Sequence, residues 1–276
     1  MKCIGLICNS GLKESGTHAE EIASYLKERG VICIVSDDGA GITKECECVI
    51  VVGGDGTLLH AAKTVLSMQI PLLGVNLGAL GYLTEVDLNG IRPALDKLLA
   101  DDYTIERRMM LEGRVIRNGR EILRDTALND IYIKGIGAMR TYRFRNYVND
   151  EYLNQVSADG MILSTATGST GYNLSVGGPI VSPQAEAILM TPIAPHSLVA
   201  SRTIIFSGSD RISVKIEEGR TGSEDAVAFV RYDGAGGVRL NTGDLVTVSR
   251  SGKYTGLVKI NHISFLEVLR KKMAES

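Results

Sequence analysis

The chain contains the run Val51-Val52-Gly53-Gly54-Asp55-Gly56-Thr57-Leu58-Leu59, in which an apolar strand passes through a glycine turn directly into a helix. Glycine adopts positive φ easily and lets backbone N–H groups approach a ligand closely. The start of the following helix carries a partial positive charge, which suits a phosphate group. The run therefore predicts a phosphate site that contains one carboxylate, Asp55. The alternative is an ordinary turn with Asp55 or Thr57 as the helix cap.

Two better-known phosphate loops are missing from the sequence. It contains neither G-x-x-x-x-G-K-[ST] nor a G-x-G-x-x-G that follows a strand. The chain is therefore neither a P-loop NTPase nor an ordinary dinucleotide-dependent dehydrogenase. A carboxylate among phosphate-binding amides points instead to a group that handles a proton or a metal ion.

Around this run, the first hundred residues alternate between strand and helix patterns. Apolar runs predict strands at 3–8, 31–35, 48–52 and 71–75, and apolar residues at helical spacing predict helices at 18–29, 58–66 and 87–99. A continuous apolar strand such as 48–52 is typical of a parallel sheet covered on both faces. The pattern predicts a doubly wound, Rossmann-like α/β domain.

The pattern changes near residue 102, and the helical period is nearly absent up to about residue 260. Asn118-Gly119 between two strand patterns predicts a tight hairpin. The last stretch, 265–273, is helical again, and we expect its face of Leu266, Leu269 and Met273 to pack on the first domain. The predicted fold is thus an α/β domain of residues 1–101 with 262–276, and a β-rich domain of residues 102–261.

Composition excludes several classes of protein. The 276 residues carry 30 basic and 32 acidic side chains, a net charge of −2, which argues against a nucleic-acid binder. No apolar run reaches the roughly 18 residues that span a bilayer. The five cysteines cluster in the first 48 residues with no export signal, which predicts reduced thiols and a cytoplasmic location. The basic-aromatic run 140–147 reads as a half-buried strand rather than an RNA-binding surface.

Two further motifs carry polar groups suited to a nucleotide. In 158–179, a strand ends in a loop rich in glycine and hydroxyl groups, at a predicted helix start. Asn129-Asp130 lies at a strand start and offers hydrogen bonds to ribose hydroxyls or an adenine edge. A Ser/Thr-rich surface loop and a simple turn are the respective alternatives.

Taken together, these motifs resemble the NAD kinases of bacterial type, in the right order from about residue 1 to 273. Gly53-Gly54-Asp55-Gly56-Thr57 is similar to the signature loop of that family, and 76–84 to its second turn. The Asn129-Asp130 pair, the segment 165–183 and the loop 190–198 match later family motifs. Single motifs of this kind also occur in lipid kinases and phosphofructokinases, whereas the joint set is specific.

The resemblance implies phosphorylation of the adenosine-ribose 2′-hydroxyl of NAD by ATP or polyphosphate, with Mg²⁺ or another divalent cation, in a homodimer or homotetramer. Asp55 would accept the hydroxyl proton or help to hold the metal. The substrate-binding residues that the resemblance implies are Gly54, Gly56, Thr57, His60, Tyr82, Asn129, Asp130, Arg140, Asp159, Thr167, Thr170, Gly171, Tyr172, Asn173, Leu174, Ser175 and Ala194. Of these, Tyr172 would pack near a ring and Ala194 would offer backbone to the nicotinamide amide. His60 and Arg140 are the weaker assignments.

Some positions depart from the family pattern. Ser157 stands where many members carry Arg or Lys, Ala166 replaces a common Pro, and the turn 232–235 lacks an amide side chain. These changes bear on substrate affinity rather than on Asp55. Two alternatives remain at this point: a kinase with a lipid or sugar acceptor, and a non-catalytic NAD(P)-binding regulator.

Overall fold

The computed structural model describes residues 1–8, 13–78, 81–136, 142–196, 202–217, 228–261 and 263–274. The chain divides into two compact units. The first comprises Met1–Arg108 and Lys253–Ser276, and the second comprises Met109–Gly252.

The first unit is built on a parallel sheet. Its elements up to residue 99 are β1 (Cys3–Cys8), α1 (Lys13–Glu28), β2 (Ile32–Ser36), β3 (Cys48–Val52), α2 (Asp55–Val65), β4 (Leu72–Asn76), β5 (Val86–Asp87) and α3 (Ile91–Leu99). The strand order is β2-β1-β3-β4, and β5 pairs with the end of β4. Every residue of β1, β3 and β4 is buried, as the continuous apolar runs predict for strands covered on both faces. The α/β prediction is confirmed.

The second unit is almost entirely antiparallel. Its elements are β6 (Thr104–Arg117), β7 (Arg120–Ala127), β8 (Asp130–Gly135), β9 (Tyr142–Val148), β10 (Glu151–Ala158), β11 (Gly160–Thr165), α4 (Tyr172–Ser175), β12 (Ala187–Ile193), β13 (Ile204–Ser207), β14 (Ile212–Glu217), β15 (Ala228–Tyr232), β16 (Ala235–Leu240) and β17 (Leu245–Lys259). The first residues of β6 and the last of β17 belong to the first unit. Within the described residues, one sheet has the order β13-β12-β11-β8-β15-β16, and β10-β9-β14-β17 form a second layer.

Local patterns in the β-rich unit are confirmed where a turn or an alternation is strong. Asn118 and Gly119 both have positive φ, 49° and 75°, as a tight hairpin requires. Tyr142 and Phe144 are buried while Arg143 is exposed. The strand predicted at the start of 158–179 is β11, which Asp159 separates from β10.

The C-terminal helix α5 (Phe265–Ala274) belongs to the first unit, and the ring centroid of Phe265 lies 6.4 Å from that of Tyr82. Its predicted buried face is wrong. Val268 is the buried residue, whereas Leu266 and Met273 are 69% and 68% exposed. Leu266 and Met273 lie two and five positions from Val268 along the chain. In a helix of 3.6 residues per turn, this places them about 140–160° around the axis from Val268, on the opposite side of the helix.

Candidate active site

Asp55 is held by the loop that follows β4. Strand β3 ends at Val52, and Asp55 is the first residue of α2. The backbone N–H of Tyr82 donates to Oδ2 of Asp55 over 2.9 Å, and that of Leu83 donates to Oδ1 over 3.0 Å. Each carboxylate oxygen thus has one amide donor and keeps acceptor capacity. The carboxylate is fixed in place at the N-terminus of a helix.

The three glycines of this turn differ in whether the surrounding structure leaves room for a side chain. A Cβ on Gly53 would lie 2.4 Å from Oγ1 of Thr57, so the packing of Thr57 itself requires Gly53. A Cβ on Gly54 or Gly56 would meet none of the described residues within 4 Å. Neither residue uses the positive φ that glycine allows, because Gly54 has φ −89° and Gly56 lies in the first turn of α2. Nothing in the described part of the chain requires glycine there, which leaves open backbone for a ligand to approach.

The other two predicted residues of the first unit differ in exposure. His60 lies on the exposed side of α2. Tyr82 is half-buried, and burial, with the nearby charge of Asp55, raises the pKa of its phenol. Tyr82 therefore contributes its backbone N–H to Asp55 and its ring to the contact with Phe265.

In the second unit, the carboxylate of Asp233 shapes the turn before β8. It accepts the backbone N–H groups of Leu128, Asn129 and Asp130 at 2.7, 2.7 and 3.0 Å. Asp233 was not among the predicted site residues. A signal for it existed, because Asp233-Gly234 has the composition of a tight hairpin turn, and both residues have positive φ between β15 and β16.

The Thr/Gly segment packs directly on this turn. The hydroxyl of Thr165 donates to the carbonyl of Leu128 over 2.7 Å, and a Cβ on Gly168 would lie 2.1 Å from the carbonyl oxygen of Asn129. In this close packing, Oδ1 of Asn129 is buried and has no hydrogen-bond partner among the residues that the structure describes. A buried acceptor without a donor is costly, and a bound ligand can supply the donor.

The predicted residues of 167–175 have different surroundings. Thr167 is buried, and the hydroxyl of Thr170 donates to its carbonyl over 3.3 Å. Tyr172 stacks edge-on against Tyr132 with 5.3 Å between centroids. Leu174 and Ser175 are exposed, and Gly171 is half-buried.

Asn173 has a structural place in this segment. It is fully buried, its amide donates to the carbonyls of Ser169 and Pro179 over 3.1 Å, and its oxygen accepts from Thr191 over 2.7 Å. The side chain of Asn173 therefore braces the segment internally.

Asp159 and Ala194 lie at the other end of β11. Gly160 pairs with Ile193 there, whereas Ser164 pairs with Asp130 at the opposite end. The strand between spans about 15–17 Å at roughly 3.3 Å per residue. Asp159 and Ala194 are both exposed, Ala194 with φ 44°. The second unit therefore presents two groups of predicted residues rather than one. Arg140 lies outside the described residues.

In the turn before β8, the carboxyl group of Asp130 has a shifted pKa. Burial first, and then the charge of Asp233, raise its pKa from 3.8 to about 7. Between about pH 4 and about pH 7 the folded chain keeps a proton that the unfolded chain has lost, so stability falls as pH rises through that window.

We expect Asp130→Asn to remove this dependence. Relative to the variant, the wild type should lose about 2–3 kcal/mol of unfolding free energy between about pH 5 and about pH 8. Urea unfolding of both proteins at a series of pH values measures the difference. A difference that does not change with pH would show that Asp130 ionises normally.

Both units match known proteins. Residues 39–103 match the ATP-NAD kinase N-terminal domain, and residues 128–260 match the ATP-NAD kinase C-terminal domain. The NAD kinase of Lachnospira eligens is 40% identical, over 99% of this chain and all of that protein. The chain belongs to the NAD kinase family. It is a phosphotransferase with NAD kinase activity, and nothing in these relatives supports a lipid or sugar acceptor.

Further relatives of this NAD kinase agree in sequence and fold. The NAD kinase of Agathobacter rectalis is 41% identical over 99% of each chain. In structure, the chain is similar to yeast NADH kinase complexed with NADH, with a TM-score of 0.91 over 99% of this chain and 88% of that one, at 24% identity. An NAD kinase from Archaeoglobus fulgidus in complex with ATP gives a TM-score of 0.79 over 100% and 98%, at 23% identity. These two structures support the fold.

Proposed function

We propose that this NAD kinase transfers the terminal phosphoryl group of ATP to the 2′-hydroxyl of the adenosine ribose of NAD, and that Asp55 accepts the proton of that hydroxyl. The observation that carries the proposal is the Asp55 carboxylate, fixed by two backbone amides at the open, glycine-lined start of α2. Phosphoryl transfer needs an oriented hydroxyl and neutralised charge more than covalent help from the protein.

The start of α2 supplies both requirements. Among the described residues, a Cβ on Gly54 or Gly56 would meet nothing within 4 Å, so a ligand can approach this backbone, and the helix N-terminus favours phosphate oxygens. Asp55 keeps acceptor capacity on both oxygens, so it can receive a hydrogen bond from a hydroxyl while the loop holds it. A positioned base of this kind contributes about 10²–10⁴-fold to the rate.

The residues present fit a divalent cation that is held mainly by the substrates. Within the described part of the chain, no three His, Cys, Asp or Glu side chains cluster as a metal site. Mg²⁺ commonly uses one or two carboxylates together with substrate phosphates and water. Asp55 is the carboxylate that can contribute here. When bound, such an ion would neutralise charge on the transferring phosphoryl group.

NAD binding is assigned to the second unit. The buried Oδ1 of Asn129 can accept a hydrogen bond from a ribose or amide group, and Asp130 beside it can do the same when ionised. The ring of Tyr172 offers a face for a base or nicotinamide. Backbone groups of Thr170 and Gly171, with Asp159 and Ala194, are the further proposed contacts.

Formation of NADP tests the function. The purified chain is incubated with NAD, ATP and Mg²⁺, and NADP is measured with an NADP-specific dehydrogenase. We expect NADP to form and EDTA to prevent it. Polyphosphate in place of ATP identifies the donor, and a lipid or sugar in place of NAD tests the acceptor. Absence of NADP under all of these conditions would overturn the proposal.

Gly56→Ala separates ligand binding from folding at the same turn. Because a methyl group at residue 56 meets nothing within 4 Å and the backbone is helical, the variant should be at least as stable as the wild type. The methyl group would stand where a phosphate approaches, so kcat/KM for ATP should fall about 10-fold or more. Thermal melting and initial rates measure the two effects. Unchanged rates would remove Gly56 from the donor site.

Assembly and location remain proposals. A homodimer or homotetramer follows from the family resemblance, and light scattering of the purified chain measures its mass. We place the protein in the cytoplasm, where NAD and ATP are supplied and where free cysteines such as Cys3 and Cys46 stay reduced. In the described part of the chain, no helix has the length and apolar character to span a membrane.

A further inference from the structure

The loop of residues 81–85 holds the carboxylate of Asp55, so the position and orientation of that carboxylate depend on the loop. Its Tyr82 and Leu83 amides bind the two carboxylate oxygens. Within the loop, the N–H of Gly81 donates to Oγ1 of Thr84 over 3.0 Å. Something outside the loop must fix this arrangement, because five residues of backbone alone do not define a rigid position.

Glu85 supplies that external anchor. It is only 2% exposed, and its carboxylate receives three donors from the end of β17. The ammonium of Lys259 binds Oε2, and the backbone N–H groups of Ile260 and Asn261 donate to Oε1 over 2.9 and 2.7 Å. The N–H of Glu85 itself donates to the carbonyl of Gly74 over 2.9 Å. All of these residues lie in the first unit.

Burying the carboxylate of Glu85 costs free energy, because the charge loses its hydration. Its desolvation offsets much of the attraction to Lys259, so the ion pair by itself adds little net stability. What a carboxylate adds is direction, because charge-assisted hydrogen bonds to two consecutive amides define one orientation of the loop. This orientation aims the Tyr82 and Leu83 amides at Asp55.

We infer that Glu85 is a positioning residue for phosphoryl transfer, acting through the loop on Asp55; this inference rests on the proposed role of Asp55. A misplacement of about 1 Å in a reacting group costs on the order of 100-fold in rate. Glu85→Gln keeps the shape but removes the charge and one acceptor oxygen. We expect kcat to fall about 10–100-fold, while KM for NAD and for ATP changes less than about threefold.

Two controls separate positioning from simple loss of stability. Ile22→Val removes a methylene from the buried face of α1 in the same unit, and should lower the melting temperature without changing kcat. Lys259→Gln removes the positive charge of one of the three donors to Glu85 and shortens the side chain, at a partly exposed site, and should lower kcat about 3–10-fold. If Glu85→Gln does not fold, Lys259→Gln carries the test alone.

A double-mutant cycle with Asp55→Asn gives the decisive readout. If Glu85 acts through Asp55, Glu85→Gln should change the residual rate of Asp55→Asn less than about twofold, since nothing is left to position. A full 10–100-fold loss in that background, or a rise in KM without a fall in kcat, would overturn the inference. An inactive Asp55→Asn beside a fully active Glu85→Gln would overturn the inference and leave the proposed function standing. An active Asp55→Asn would overturn the role of Asp55, and that of Glu85 with it.

Discussion

Replacing Asp55 by Asn is expected to lower kcat for NADP formation by about 10²–10⁴-fold, the usual contribution of a positioned base. The amide keeps the size of the side chain but cannot take up a proton, and its NH₂ group meets one of the amide donors at 2.9–3.0 Å. A metal contact at Asp55, if it is used in the reaction, adds to the loss. Initial rates at saturating NAD and ATP measure the effect.

Binding and folding provide the controls for Asp55→Asn. Asp102→Asn changes the same functional group at an exposed position of the first unit and should leave kcat unchanged. NAD affinity, measured by calorimetry, should stay within about threefold of the wild type, because proton transfer occurs only in the transition state. A variant that turns over at the wild-type rate would remove Asp55 from the mechanism.

Gly81→Ala is expected to lower kcat nearly as much as Asp55→Asn, although it leaves the carboxylate group itself unchanged. A Cβ at residue 81 would lie 2.2 Å from Oδ1 and 2.7 Å from Cγ of Asp55, a separation at which one of the two groups must move. Either movement breaks the amide cradle of Tyr82 and Leu83. We expect kcat to fall about 100-fold, as for a misplaced reacting group, with a smaller change in KM.

Gly78→Ala is the matched control in the same β4-to-β5 connection. A Cβ at residue 78 would meet none of the described residues within 4 Å, so this variant should keep its kcat. Equal losses in Gly78→Ala and Gly81→Ala would mean that the connection simply requires glycine. Full activity of Gly81→Ala would mean that the position of Asp55 tolerates displacement, which contradicts the proposed catalytic geometry.

Much of the first unit could be predicted because its signals are local. An apolar run such as 48–52 can be satisfied only between two covering layers, and it forms the fully buried β3. In the second unit, β12 and β16 lacked a clear pattern. All of β12 is buried, so it does not alternate, and β16 begins with Ala235-Gly236-Gly237, which reads as a turn. Their strand geometry comes from pairing with β11 and β15.

The functional residues divide in the same way. Asp55 was visible in the sequence because a glycine turn, a carboxylate and a helix start are neighbours along the chain. Glu85 was not visible, and at Asp233 the sequence showed only a turn, because a carboxylate that binds backbone amides leaves no periodic pattern. Asp233 reaches the turn of Leu128 across 105 residues, and Glu85 reaches Ile260 across 175.

The sequence by itself therefore determined the α/β unit, the glycine turn with its carboxylate and the family, because these depend on residue types at short spacing. Only the tertiary structure decided how Asp55 is aimed, which glycines are packed rather than open, and which face of α5 is buried. Each of these depends on distances between elements remote in the chain. The physical reason is that hydrogen bonds and steric contacts act over a few ångströms in space, whatever the separation in sequence.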